Sequence, residues 1–574
     1  MPRMTPSEAF VETLVAEGVQ HVTGLVGSAF QDALDLFPHA GIRFVPVHHE
    51  LTAAHMADGY ARATGRTAVC IGQNGPGCTN MLTAIAVAYQ AHSPVVVVTP
   101  SAMNSLSGLD GLQEIDQMDI FRAVTKFQAR VPSPSRMAET MRAAFRHATA
   151  RLGPAQVDIP RDFFYGDTDQ VILKPEQYRS SATIRADEAS IGRAADLLAK
   201  AKKPMILAGY GCVVSEAYDA TAALAEFLDC PVANTYWHND SFPTDHPLAV
   251  GALGFNGSKV AMQMLAEADV VLMLGSRIND FGYAPQYGMR YYPHQAKIIQ
   301  VDIDSAQIGR SKPVDVSVVG DARLTATAIL EHLQRQGEGS RRGDTRSTVG
   351  ALKVQWRAEL DVMCRPASEY INPYAATRAI CEALPENAFV TTDIGFSPCI
   401  PNAFLRFTKP RRYIAPGNFA NVGFGFPAAL GVKLAHPEDP VVAFVGDGGW
   451  GFALQEVMTA LEENLPVVVI LMNNGVLGAE KANQATFLES RFVGVDVGAG
   501  FNYAEIARAM GADAQRITDI EQLVPAFKKA VESSQICVLE VMTDPEILNK
   551  PFRGEALSKA VRHLDKYKHL ASPA

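Results

Sequence analysis

Gly446-Asp447-Gly448 and Asn473-Asn474 are the residues of this chain whose types and spacing best suit a metal-bound phosphate. Asp447 can offer a carboxylate oxygen and Asn474, 27 positions later, an amide oxygen. Hard oxygen ligands, few in number and completed by phosphate oxygens and water, are what Mg2+ prefers. Gly446, Gly448 and Gly449 let backbone N–H groups approach a phosphate closely. Two apolar runs, 441–445 and 465–472, read as strands framing this motif, each ending in small polar residues rather than continuing into a helix. In an open parallel sheet that carboxyl edge is where ligands sit.

A second constellation lies in the N-terminal third. Val47-His48-His49-Glu50 follows a short apolar run and precedes a helix expected from Leu51 to Ala63, with small residues at Ala53, Ala54 and Ala57. Gly59-Tyr60-Ala61-Arg62, Gly65 and the loop Gly75-Pro76-Gly77-Cys78-Thr79-Asn80 come next. Taken together, in this order and about 400 residues apart, the two constellations resemble the pyrimidine-binding and metal–diphosphate halves of the thiamine-diphosphate enzymes of the acetolactate synthase-like type.

The resemblance implies roles residue by residue. Glu50 aligns with the carboxylate that activates the aminopyrimidine, favouring the tautomer whose nitrogen can remove the C2 proton. Gly75, Pro76 and Asn80 fall on the pyrimidine side, and Gly446, Asp447, Gly448 and Gly449 on the diphosphate side. Asp447, Asn474 and the backbone carbonyl of Val476 would hold Mg2+. Asp393-Ile394-Gly395 is similar to the other diphosphate-side loop. Asn421-Val422-Gly423-Phe424-Gly425-Phe426-Pro427 is similar to the segment that wedges the cofactor into its bent form, with Val422 where relatives often carry Met, Leu or Ile. Sites in this family form between subunits, which implies a homodimer or homotetramer.

The elements that must position these residues read as three α/β blocks. Buried strands such as 94–99, 204–208, 268–274 and 298–304 alternate with helices, the pattern of doubly wound parallel sheets. A helix over 188–201 carries Ile191, Ala194, Ala195 and Leu198 at the spacing of a sheet-covering face. Polar stretches at 174–184 and 335–349 read as linkers. The expected organisation is three doubly wound parallel-sheet domains of the thiamine-diphosphate enzyme type. These are an N-terminal pyrimidine-binding domain at 1–165, a central domain at 185–335, a C-terminal diphosphate and Mg-binding domain at 370–548, and a tail at 549–574. The central block resembles a domain that binds FAD in acetolactate synthases, carried here by Gly275-Ser276-Arg277; a purely structural domain is expected, without FAD.

Composition narrows the classes. A chain of 574 residues has ample apolar content for several cores, and a net charge of −10 with no basic tract argues against a nucleic-acid partner. Eight scattered cysteines with no Cys-x-x-Cys pair suit a reducing compartment. No apolar run approaches the ~18 residues of a membrane span. The chain reads as soluble and cytoplasmic, with no membrane partner.

Further segments point to one branch of the family. Gln73-Asn74-Gly75-Pro76-Gly77, Ile159-Pro160-Arg161-Asp162-Phe163, Leu405-Arg406-Phe407, 478–484, 491–494, 551–557 and 564–568 look like the branch that desulfonates sulfoacetaldehyde with inorganic phosphate, giving acetyl phosphate and sulfite. That reaction needs no decarboxylation and no redox step. Its two substrates are anions, and an arginine fork or a lysine charge suits them. Arg406, Lys481, Arg491 and Arg553 are the candidates, with sulfonate and phosphate unassigned among them. His49, His92 and Gln113 are candidates for proton transfer near C2; Gln113 sits in Leu112-Gln113-Glu114, similar to a stretch carrying an active-site glutamine in acetolactate synthases. Two other readings stand beside this one: a different thiamine-diphosphate reaction (2-keto-acid decarboxylation or acetolactate-type carboligation), and a silent binding or regulatory paralogue.

Overall fold

Three six-stranded sheets, all with parallel pairing, have inner strands rich in buried β-branched and aliphatic residues, while edge strands such as Phe127–Arg130 and Asp513–Ile517 are partly exposed. The computed structural model describes residues 3–180, 182–277, 279–337, 343–497, 500–548 and 560–571. In the first sheet the strands are β1 His21–Gly24, β2 Arg43–Pro46, β3 Ala68–Ile71, β4 Val95–Ser101, β5 Phe127–Arg130 and β6 Ala155–Pro160. Their spatial order is β2-β1-β3-β4-β6-β5. The second sheet contains β7 Pro204–Ala208, β8 Val232–Asn234, β9 Ala249–Ala252, β10 Val270–Leu274, β11 Lys297–Asp302 and β12 Val316–Val319, in the order β9-β8-β7-β10-β11-β12. The third contains β13 Phe389–Thr392, β14 Tyr413–Ile414, β15 Val441–Gly446, β16 Val468–Asn473, β17 Asp513–Ile517 and β18 Cys537–Met542, in the order β14-β13-β15-β16-β18-β17. The expected doubly wound α/β architecture is therefore present three times.

In each sheet the order reverses beside one strand, and ligands of such sheets bind outside the carboxyl ends at that switch point. The switch lies between β1 and β3 in the first sheet, β7 and β10 in the second, and β13 and β15 in the third.

Five helices set the geometry of the two outer crevices. Helix α1, Glu50–Thr64, starts where the His49 ring nitrogen Nδ1 accepts the Leu51 N–H and stops at Gly65, which is left-handed at φ 72°. Helix α2 is Pro76–Gln90, entered through Gly75 (φ 67°) with Pro76 in the first turn. Helix α3 is Gly425–Ala435, α4 Asp447–Ala453 and α5 Gly478–Phe487. Helices α1 and α3 cross so closely that a Cβ on Gly59 would overlap the Ala428 carbonyl oxygen. One apolar core runs from the first sheet through Ala53, Ala57, Phe426 and Leu430 into the third sheet. The second sheet has its own cores.

Two local expectations are corrected. Strand β15 passes directly into α4, so Asp447 is a first-turn helical residue rather than part of a loop. Burial of Trp450 and Ala453 holds this glycine-rich segment helical. The stretch read as a linker over 335–349 contains the start of a 19-residue helix, Thr345–Met363, whose Val349, Trp356 and Leu360 pack on the central core. Among the described residues, no helix is long and apolar enough to cross a membrane.

Candidate active site

The third sheet's switch crevice is built on two buried carboxylates. Asp393, at the end of β13, is fully buried and accepts N–H bonds from Ile394 (2.8 Å), Gly423 (3.1 Å) and Gly425 (2.9 Å). It fixes the turn that carries Val422 against the carboxyl edge. The glycine at 449 makes room for it, since a Cβ there would lie 3.0 Å from the Asp393 carboxyl carbon. Asp447 is 4% exposed; its two oxygens accept the N–H groups of Gly448 (2.8 Å) and Gly475 (2.6 Å). Burial pushes both carboxyl groups up to about 6, opposed in each case by these backbone hydrogen bonds.

The loop after β16 completes the arrangement. Asn473 turns inward, donating to the buried Glu540 carboxylate at 2.7 Å, while Asn474 is left half-exposed at the edge. The Asn474 side-chain oxygen accepts the Val476 N–H at 3.2 Å, and Gly475, at φ 69°, makes the turn. Val495 and Val497 clamp this loop: Leu477 N–H donates to the Val495 carbonyl and Val497 N–H to the Gly475 carbonyl. Among the described residues, no group of three or more His, Cys, Asp or Glu side chains could hold a metal. A cation here would thus meet one carboxylate, one amide oxygen and backbone carbonyl, a donor set that leaves positions for phosphate oxygens and suits Mg2+ rather than a soft metal. Gly395, with φ 126°, and Gly446 lie beside Pro398 on the same edge.

The first sheet's switch crevice holds the other half. Glu50 opens α1 and is 7% exposed; its Oε2 accepts from Asn80 Nδ2 at 2.9 Å. Gly77 closes against it, with space for a Cβ only 3.3 Å from Glu50 Oε1. Gly75 donates its N–H to the Gln117 side-chain oxygen at 2.8 Å, and Gln117 in turn donates to the buried Asp158 at 2.8 Å. Gln113, left-handed at φ 59°, accepts from Gln73 at 3.1 Å, and its backbone lies against Gly75. The structure therefore brings Glu50, His49, Gly75, Pro76, Asn80 and Gln113 to one edge.

Within one chain, no hydrogen bond among the described residues joins Glu50, Gly75, Asn80 or Gln113 to Asp393, Asp447 or Asn474. The domains meet instead behind the crevices. His48 N–H donates to the buried Glu456 carboxylate at 3.2 Å, and His55 stands edge-on to Phe424.

Other expected residues lie elsewhere. His92 follows the far end of α2 from Pro76, and fifteen helical residues span about 22 Å. It faces Arg277, Lys126 and Asp304, and burial drives it down to about 3. The helix thus carries His92 away from Glu50, a correction to its role near C2. Arg406 is also corrected: it is exposed beside Lys353 and Cys381, and Cys381 lies in the last turn of the helix that feeds the amino end of β13. Lys481, on α5, is buried and paired with Glu546 at 2.6 Å, while Arg491 pairs with Glu489 at 3.0 Å and donates to the Leu570 carbonyl. Arg553 lies outside the described residues. Gly275, Ser276 and Arg277 line a cavity of about 60 Å3 with Tyr210, Trp237 and His238.

Residue types and spacing do not single out Gln117 and Asp158, which work by holding backbone and neighbouring side chains. The only signal for them is a polar residue in or beside an apolar strand: Asp158 lies within β6, and the Gln117 amide donates to the Thr99 and Pro100 carbonyls of β4.

Three family models match: Thiamine pyrophosphate enzyme, N-terminal TPP binding domain, at residues 4–120; the central domain at 191–329; and the C-terminal TPP binding domain at 393–541. The chain belongs to the thiamine pyrophosphate enzyme family. The matched N- and C-terminal domains contain the two crevices, so thiamine diphosphate is the cofactor of this fold. The chain is similar to proteins named sulfoacetaldehyde acetyltransferase: 44% identical to that of Castellaniella defragrans over 98% of this chain and 97% of the relative. Identity to that of Alcaligenes xylosoxydans xylosoxydans is 43%, over 99% and 97%. A probable acetolactate synthase large subunit from Methanocaldococcus jannaschii is 34% identical over 94% of this chain and 92% of its own length. Four relatives 39–44% identical over 97–99% of this chain carry the name sulfoacetaldehyde acetyltransferase, and the chain is an enzyme of the thiamine pyrophosphate family.

Proposed function

We propose that this enzyme uses thiamine diphosphate and Mg2+ to convert sulfoacetaldehyde and inorganic phosphate into acetyl phosphate and sulfite. The observation that carries the reading is the full-length similarity to sulfoacetaldehyde acetyltransferases, ten percentage points above that to the probable acetolactate synthase. The overall change is redox-neutral: the carbon–sulfur bond breaks with its electron pair leaving on sulfite, the aldehyde carbon becomes the acetyl carbonyl, and a phosphate oxygen takes the acetyl group.

Bound thiamine diphosphate supplies a nucleophilic thiazolium carbon and an electron sink. The chain's residues bind and orient it. Glu50, buried and held by Asn80, is the carboxylate that hydrogen-bonds the aminopyrimidine. Asp447 and Asn474, with the Val476 carbonyl, hold Mg2+, and the glycines at 395, 446, 448 and 449 leave backbone exposed to the diphosphate. Val422 supports the cofactor from the turn fixed by Asp393. His49 and Gln113 are the remaining candidates for proton transfer near C2. As the family resemblance implies sites formed between subunits, the proposed active unit is a homodimer or homotetramer in which two copies complete each site. No flavin is needed for this chemistry, and a cytoplasmic enzyme is expected.

The test is a coupled assay of purified protein with thiamine diphosphate, Mg2+, phosphate and sulfoacetaldehyde, following sulfite and acetyl phosphate together. Equal, phosphate-dependent release of both is expected. Cofactor binding without sulfite release would overturn the substrate assignment, and release of CO2 from a 2-keto acid would put decarboxylation or acetolactate-type carboligation in its place.

A further inference from the structure

Arg161 follows the last residue of β6, and its guanidinium donates to the Ser28 carbonyl at 3.1 Å and approaches the Ser28 hydroxyl at 3.4 Å. Ser28 belongs to the turn after β1, while β6 and β1 are separated in the sheet by β4 and β3. The side chain therefore reaches back across the carboxyl edge towards the switch crevice. The next residue, Ala29, donates its N–H to Gln73 at 3.0 Å, and Gln73 donates to Gln113 at 3.1 Å. A short chain of contacts thus ties Arg161 to the glutamine and to the Gly75 loop beside Glu50.

Arg161 has no ion-pair partner among the described residues; its hydrogen bonds are both to Ser28, from one terminal nitrogen. That separates it from Lys481, neutralised by Glu546, and Arg491, paired with Glu489. A guanidinium carries five N–H donors, so most of its fork stays available while Ser28 fixes its position. Arginine forks match tetrahedral oxyanions through paired charge-assisted bonds.

We infer that Arg161 anchors a tetrahedral oxyanion of a substrate, a sulfonate or a phosphate, at the pyrimidine-side crevice. This rests on the proposed reaction, in which both substrates carry such a group. Arg161 orients the anion and takes no proton; Ser28 is its positioning partner.

The experiment measures KM for sulfoacetaldehyde and for phosphate separately, the other saturating, in the holoenzyme and in Arg161→Lys, Arg161→Met and Ser28→Ala. Expected in Arg161→Met is a rise of about ten- to a hundredfold in one KM, with the other KM and the cofactor affinity unchanged. Arg161→Lys should recover part of that loss, and Ser28→Ala should move it only slightly. The KM that rises identifies the anion. Both KM values within twofold of wild type in Arg161→Met would overturn the inference, as would equal losses in both together with cofactor affinity, the mark of a structural role. Should the wild-type enzyme release no sulfite, the proposed reaction fails on its own. Calorimetric titration of the holoenzyme with inorganic phosphate and with 2-hydroxyethanesulfonate then tests Arg161: binding lost in Arg161→Met supports it, and equal binding, or none in either protein, overturns it.

Discussion

Gly431 of α3 lies against the Met56 carbonyl of α1, so close that a Cβ at 431 would overlap that oxygen. The crossing is a backbone-to-backbone contact that only glycine permits. Gly431→Ala should lower stability by about 1–3 kcal/mol, the range for overpacking a well-packed site. Thermal unfolding of the cofactor-free protein measures this. An unchanged melting temperature would show that the helices separate freely.

Glu50→Gln keeps the volume and the opening of α1 but removes the charge. Folding should be intact by circular dichroism, while C2 proton exchange on bound cofactor, followed by NMR, should slow by at least about a hundredfold, the lower end of proton-transfer effects. Exchange at the wild-type rate would remove Glu50 from the activating role.

Asp447→Ala removes the one carboxylate of the proposed metal loop. Ligand binding to the native state alone stabilises by about 2.7 kcal/mol at a hundredfold excess over Kd. The wild-type protein should therefore melt higher with Mg2+ and thiamine diphosphate, and Asp447→Ala should not. An equal upward shift in both proteins would place the metal elsewhere.

Asp240 links the central domain to the third sheet: it is 1% exposed and accepts the Tyr413 N–H of β14 at 3.2 Å. Burial pushes it from 3.8 up to about 7. Between those values the folded protein holds a proton that the unfolded chain has released. This contribution to stability is complete below pH 4 and is lost as pH rises to 7. Asp240→Asn lacks this loss, so its stability relative to wild type should rise across that window. Denaturant melts at pH 4.5, 6 and 7.5 check the sign; a relative stability that is flat, or falls, would refute the assignment.

His92 occupies a left-handed position, φ 54°, which asparagine tolerates. Given its place at the far end of α2, His92→Asn should leave kcat unchanged. A large fall in kcat with unchanged stability would return it to the reaction.

The family halves are legible in the sequence because the chemistry-bearing residues follow apolar strands, so type and edge position coincide at Glu50, Asp447 and Asn474. The helical start at Asp447 is not, because Gly448, Gly449 and Gly451 have low helix propensity and burial of Trp450 overrides it. The helix over Thr345–Met363 is hidden because its buried residues, Val349, Trp356 and Leu360, are sparse among polar ones. His92 shows a different limit: a histidine close in sequence to a functional loop is carried off by the length of the helix between them. Arg161 stands in a segment that resembles the desulfonating branch, but only its reach to Ser28 distinguishes it from other arginines.

The first and third sheets share one strand order, while the second has another. Helices α1 and α3 each follow the edge strand beside the switch, β2 and β14, and are therefore topological counterparts. Each lends a glycine to the other's carbonyl, Gly59 to Ala428 and Gly431 to Met56. This is the reciprocity of an isologous interface, formed here between two halves of a single polypeptide. The chain closes an internal pseudo-dimer, and that self-complementary surface is spent within the chain and closed to any second copy.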